Sequence, residues 1–172
     1  KVVIISADTI GIKHKLAETA RASIADALDM KKECVMMVAT HTHTGGPIRS
    51  RVGLTELSDK YLNFMEKRFV DCAVLAAKEQ RDVTIGYSKG YEDKIAYYRD
   101  FIFEDGTYKT NPGMLSNKKP FGDIDPEVGV LKIDNMDGSP YGAVINYSCH
   151  CDSLGGPCQY SSDYPGAMKG LL

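Results

Sequence analysis

The first half of the chain alternates between two apolar periods. Val2-Val3-Ile4-Ile5-Ser6-Ala7 is a continuous apolar run, rich in β-branched residues, and reads as a buried strand. Leu16, Ala20, Ile24 and Leu28 then recur at four-residue steps, which puts them on one face of a helix over 15–28. Val35-Met36-Met37-Val38-Ala39 is a second short apolar run and a second strand. Beyond Gly53, the residues Leu57, Tyr61, Phe64, Met65, Phe69, Cys72, Leu75 and Ala76 form a long helical stripe, with Asp59, Lys60, Glu66, Lys67 and Asp71 on other faces. Val83-Thr84-Ile85-Gly86-Tyr87-Ser88 reads as a third strand. Strand, helix, strand, helix, strand predicts an α/β fold with a mostly parallel sheet and helical crossovers.

The second half changes period. Tyr91 to Phe103 is mixed and extended in character, and Glu104-Asp105-Gly106-Thr107 is a hairpin-type turn. Thr110 to Ile124, with Pro112, Gly113, Pro120 and Gly122, reads as a long loop, and loops of that size are usually functional or mobile. Val128–Ile133 and Gly142–Tyr147 are strands joined across Asn135-Met136-Asp137-Gly138-Ser139, an antiparallel hairpin. Ser162-Asp163-Tyr164-Pro165 announces a further helix. The expected fold is therefore α/β, mostly parallel in the first half and followed by an antiparallel hairpin. No internal repeat or low-complexity segment interrupts it.

The 172 residues suffice for one core-forming domain. The chain opens at Lys1 directly inside a strand, and Leu171-Leu172 follow closely on a helix start. The expectation is that residues 1–172 form a single partial α/β domain, cut at both ends. A net charge of -2 and a pI near 6.1 leave no electrostatic footprint for nucleic acid. No apolar run approaches the ~20 residues of a membrane-spanning helix. Five cysteines cannot all pair internally, and on that count alone a reducing compartment is favoured. Cys34 and Cys72 sit in apolar surroundings and read as small core residues.

Candidate chemistry concentrates in Thr40-His41-Thr42-His43-Thr44-Gly45-Gly46-Pro47, directly after the second strand. If the strand continues, His41 and His43 point to one face and Thr42 to the other. Such a pair suits one imidazole on a metal and the other on a substrate bound to that metal. The structural alternative is that both rings only cap neighbouring backbone groups. Asp8, His41 and His150 each follow a predicted strand at its C-terminal end, where α/β sheets bind ligands. Neutral imidazoles from two strand ends, His41 and His150, suit Zn²⁺. A rival reading makes Cys149, Cys151 and Cys158 the zinc ligands, but their spacing is not the C-x₂₋₄-C of ribbons and fingers.

Further residues carry open readings. Arg99, in Ile95-Ala96-Tyr97-Tyr98-Arg99, is either a surface arginine lying on tyrosines or a stabiliser of an oxyanion. Asp8 either holds an imidazole tautomer or caps the following turn. His14 reads as an exposed helix-start residue. Arg49 and Arg51 either hold an anionic group or lie in a solvated loop. No G-x-G-x-x-G or Walker sequence follows a strand, which argues against a nucleotide-binding domain.

Thr40-His41-Thr42-His43-Thr44-Gly45, Tyr98-Arg99 with Asp105-Gly106, Asp125-Pro126-Glu127-Val128-Gly129-Val130-Leu131, and Asn146-Tyr147 through Asp163-Tyr164-Pro165-Gly166 occur in that order. Together they resemble the catalytic domain of the neutral (alkaline, non-lysosomal) ceramidase family, and more closely its shorter bacterial relatives. The resemblance implies a zinc-dependent hydrolase of an amide bond, with metal-activated water as nucleophile and an N-acyl, ceramide-like lipid as candidate substrate. It implies His41 and His150 as zinc ligands, and His43 and Arg99 as catalytic residues at the scissile carbonyl. Tyr98 stands where the family has Asn. The resemblance places the remaining Glu and Tyr ligands outside this chain, so the 172 residues alone are expected to hold zinc weakly and to be inactive. A lipid substrate also implies peripheral contact with a membrane. Two alternatives remain: a metallohydrolase of the same fold acting on another small amide or ester, and a non-catalytic lipid- or carbohydrate-binding domain that lost the metal.

Overall fold

The computed structural model describes residues 1–48, 55–154 and 159–172. In chain order the elements are β1 (Val3–Ala7), α1 (His14–Leu28), β2 (Val35–Ala39), α2 (Thr55–Lys78), β3 (Val83–Tyr91), β4 (Asp100–Phe103), β5 (Tyr108–Thr110), β6 (Lys118–Pro120), β7 (Glu127–Asn135), β8 (Pro140–Tyr147) and α3 (Asp163–Lys169). By contact density they form two units. The first comprises residues 1–81 and 151–172, and the second comprises 82–150.

In the first unit, β1 and β2 pair in parallel from Val3↔Val35 to Ala7↔Ala39, with α1 as the crossover. Leu16, Ala20 and Ile24 of α1 meet Ile5 and Ala7 of β1, Val35 of β2 and Met65, Phe69 and Ala73 of α2 in one apolar core. Arg21 ties the crossover down: its guanidinium donates to the carbonyls of Val35 at 2.9 Å and Lys32 at 3.1 Å and pairs with Glu18 at 2.7 Å. The expectation of a β1 buried on both faces is corrected. Ile5 and Ala7 point inward, but Ile4 is 50% exposed, as are Met36 at 52% and Val38 at 41% in β2. Among the described side chains of the α2 stripe, Met65 and Phe69 are buried, with Ala73 beside them, while Phe64, Cys72 and Leu75 face solvent.

The expected three-stranded parallel sheet is two-stranded among the described residues. β3 pairs antiparallel with β7 along its whole length, from Val83↔Asn135 to Tyr91↔Glu127, in a β3-β7-β8 sheet of the second unit. The cause is legible in the strand itself. Val83, Ile85 and Tyr87 alternate with Thr84, Gly86 and Ser88, the period of a strand with one wet face, and a parallel strand buried on both faces would be apolar throughout. β7 and β8 form the expected hairpin, with a register shift at Ile133/Asp134. The long loop after β5 contains β6, which pairs with β4 to complete a β5-β4-β6 sheet. The fold is mixed α/β, and its small sheets are mostly antiparallel.

Candidate metal centre

The His-Thr-His segment is not a continuation of β2. The strand ends at Ala39, and His41 adopts a left-handed backbone with φ 67°. A residue with a Cβ occupies that region only when its surroundings over-determine it. Here they do. The His41 N–H donates to the Thr9 carbonyl at 3.1 Å, and ring atom Nδ1 lies 2.7 Å from the Ile10 carbonyl oxygen. A carbonyl only accepts, so Nδ1 carries the proton and the lone pair of the neutral ring is on Nε2.

Thr42 faces the opposite way and is fully buried. Its hydroxyl donates to the Ser161 carbonyl at 2.9 Å, and the Thr44 hydroxyl donates to the same oxygen at 3.0 Å. The Ser161 N–H returns a bond to the Thr44 carbonyl at 3.1 Å. The alternation expected across residues 41–43 is therefore met in outcome, but by a turn pinned on both sides and not by a strand. The rings of His41 and His43 meet edge to face with centroids 5.1 Å apart. Gly45 lets the turn close: a Cβ there would sit 2.8 Å from the Asp8 carbonyl oxygen and 3.0 Å from Thr9 Cα. Beyond it, Thr44, Gly46, Tyr61 and Tyr160 line a cleft of about 540 Å³. Burial, and secondarily Tyr160, push the Tyr61 phenol up from its ordinary pKa.

His150 is followed directly by Cys151, and Cys151 is fixed to the same turn. Its carbonyl accepts the His43 N–H at 3.1 Å, and its thiol, 1% exposed, donates to the Thr40 carbonyl at 2.8 Å. The ligand nitrogens of His41, His43 and His150 lie within 4.8 Å of one another. Three imidazoles this close, one with a carbonyl behind its ring and its lone pair directed away, make a donor set that could hold a metal ion and that suits zinc.

Two known structures share this architecture. A ceramidase complexed with C2 superposes with a TM-score of 0.72, at 21% identity over 96% of this chain. The neutral ceramidase from Pseudomonas aeruginosa superposes with a TM-score of 0.67, at 21% identity over 95% of this chain. The fold is that of part of a ceramidase. The chain spans 26% of the length of each of these two ceramidases. No family model and no curated protein matches the sequence.

The remaining sequence candidates have their own local contacts. Arg99 immediately precedes β4, half-buried, and its carbonyl accepts the Asn111 N–H at 2.8 Å. Asp8 accepts from Thr40 Oγ1 at 3.2 Å and pairs with Lys169 at 2.8 Å. His14 opens α1, exposed. The Cys149 thiol is directed at the carbonyls of Ile95 and His150. Cys158, Arg49 and Arg51 lie outside the described residues.

Two carboxylates beside this turn carry no chemical signal in the sequence. Asp152 Oδ2 stands 3.8 Å from His43 Nδ1. Asp163 is buried with φ 55° and accepts from the Ser153 N–H and hydroxyl, both at 2.8 Å, and from the Tyr164 N–H at 2.7 Å. Burial pushes its pKa up, but these donors together outweigh it and hold the carboxyl below its ordinary value. In the sequence Asp163 is only a helix-start signal, and nothing local marks it as the anchor of a loop ten residues upstream.

Proposed function

We propose that this chain is the metal-binding part of an amide hydrolase acting on an N-acyl, ceramide-like lipid. The observation that carries the reading is the convergence of three imidazoles on one small volume, and the ceramidase fold supports it. His41 and His150 would hold Zn²⁺. When bound, the ion would lower the pKa of a water toward ~7 and polarise the amide carbonyl.

The remaining work falls to this chain's own groups. The Ile10 carbonyl keeps the lone pair of His41 on Nε2. The Thr42 and Thr44 bonds to Ser161 hold the turn so that the two rings keep their mutual angle. His43 would take a proton from the attacking water, hold it towards the oxygen on which charge develops and pass it to the departing amine. Arg99 is proposed as a second donor to that oxygen. A lipid substrate would bring the chain to a bilayer surface; no described helix is long and apolar enough to cross one.

The test starts with zinc affinity, measured by competition against a chromogenic chelator for this chain and for His41→Ala. A loss of at least about tenfold is expected from removing one ligand, and equal affinities would overturn the reading. In the protein as its host makes it, His41→Ala should also abolish hydrolysis of a short-chain N-acyl sphingoid base. Lipid binding that survives this change, with no turnover in the parent, would favour a binding module. Turnover restricted to small amides or esters would reassign the substrate.

A further inference from the structure

We infer that the loop over residues 111–117, between β5 and β6, is a docking loop that seats this protein on an anionic lipid bilayer. The inference rests on the lipid-hydrolase reading for its purpose, but its grounds are the loop's own chemistry. In the middle of the loop Met114 is fully exposed and Leu115 is 51% exposed. One apolar side chain in solvent is ordinary, whereas two in succession within an uncharged segment, Asn111-Pro112-Gly113-Met114-Leu115-Ser116-Asn117, mark a surface made for contact. The segment is anchored at both ends. Asn111 donates its N–H to the Arg99 carbonyl at 2.8 Å, and the Asn117 carbonyl accepts the Glu104 N–H at 3.3 Å. Asn111, Gly113 and Asn117 take left-handed backbone, with φ of 48°, 67° and 60°. Glycine and asparagine enter that region at least cost, so the bends on either side of Met114 and Leu115 are written into the sequence.

The charge around the loop selects the partner. Residues 106–122 carry three lysines and no acidic residue, in a chain whose net charge is -2. Lys109 stands on β5 just before the loop, and Lys118 and Lys119 stand on β6 just after it. Lys118 Nζ donates to the Gly113 carbonyl and lies 4.6 Å from the centre of the Phe101 ring, while Lys109 Nζ lies 5.1 Å from that of Phe103. Among the described residues, none of the three pairs with a carboxylate. An apolar pair flanked by unpaired lysines matches a bilayer surface. The acyl boundary takes up methionine and leucine, and the anionic headgroups meet the ammonium groups. With no charge between residues 111 and 117, seating the loop buries no ion. A stable protein interface would need a far wider apolar area than two side chains supply.

The chain has no tryptophan, so Met114→Trp places a single fluorophore in the loop. Its emission should shift to the blue on adding vesicles of phosphatidylcholine with phosphatidylserine, and stay unchanged with phosphatidylcholine alone. No shift with either, or the same shift with both, would overturn the inference. In the protein as its host makes it, Met114→Ser with Leu115→Ser should weaken co-sedimentation with the anionic vesicles at least about tenfold. Lys109→Gln and Lys119→Gln should each weaken it about fivefold. A parent that does not sediment with these vesicles, or variants that sediment as the parent does, would overturn the inference. So would protection of Met114 from peroxide oxidation before any lipid is added, since protein would then already cover the loop. Turnover of a water-soluble short-chain N-acyl substrate should be equal in the parent and the serine variant, and a fall would assign the loop to the active site instead. Vesicle binding is read without turnover, so an inactive parent would count against the hydrolase reading and leave the docking result to stand by itself.

Discussion

At His41 a left-handed backbone is imposed on a residue with a β-carbon, a conformation that costs about 1–2 kcal/mol against the ordinary right-handed one. What holds it there is the pair of bonds to Thr9 and Ile10, so the ring direction is set by β1's trailing segment and not by β2. Asp163 shows the same logic in electrostatic form. Its pKa is depressed, so its contribution to stability is complete above the ordinary value near 3.8 and drains away as pH falls through the lower folded value. Asp163→Asn should therefore lose about 2 kcal/mol near pH 7, the order expected for hydrogen bonds to a charged group. Urea unfolding at a series of pH values should show the gap to the parent closing as pH falls below about 4. A gap that is constant with pH would mean the carboxylate charge does not matter.

Element by element, the chain forms helices where the apolar stripe is regular and lets tertiary contacts choose how much of that stripe is buried. α1 presents Leu16, Ala20 and Ile24 at its inner face, and Ile24 is fully enclosed between the sheet and α2. Ile24→Ala should cost about 2–5 kcal/mol, the usual range for deleting a buried aliphatic side chain that its surroundings cannot refill. Chemical denaturation measures it, and a loss below about 1 kcal/mol would place the residue outside the core. The helices and the hairpin could be read from period and turn residues. The partner of β3 could not. Its alternation indicates a half-wet strand, but pairing with a strand on the far side of a separate small sheet in the sequence depends on long-range contacts that no local period encodes. Residue 41 misleads for the same reason, since a turn held from outside looks in sequence like one more strand residue.

Across the whole molecule, burial is unequal. Among the described residues, every buried side chain belongs to the first unit. The second unit has long antiparallel ladders, yet Ile85, Tyr87 and Tyr91 on β3 are all more than 60% exposed. Backbone hydrogen bonds that few apolar contacts shield open at lower free energy. Hydrogen exchange followed by mass spectrometry should therefore find the amides of α1 and β2 slower to exchange than those of β3, β7 and β8. Equal protection would indicate that the exposed sheet faces are covered in solution.

The sequence by itself determined the helices, the β7–β8 hairpin and the histidines worth watching, because these follow from local period, turn chemistry and residue type. Only the tertiary structure decided that β1 and β2 stand as a two-stranded parallel sheet. It alone brought the nitrogens of His41, His43 and His150 within one ion's reach, set Asp152 near His43 and fastened Ser153 to Asp163. These are encounters between residues up to about a hundred positions apart. Their partners are fixed by burial and by the need to satisfy backbone donors and acceptors, which no short stretch of chain can settle alone.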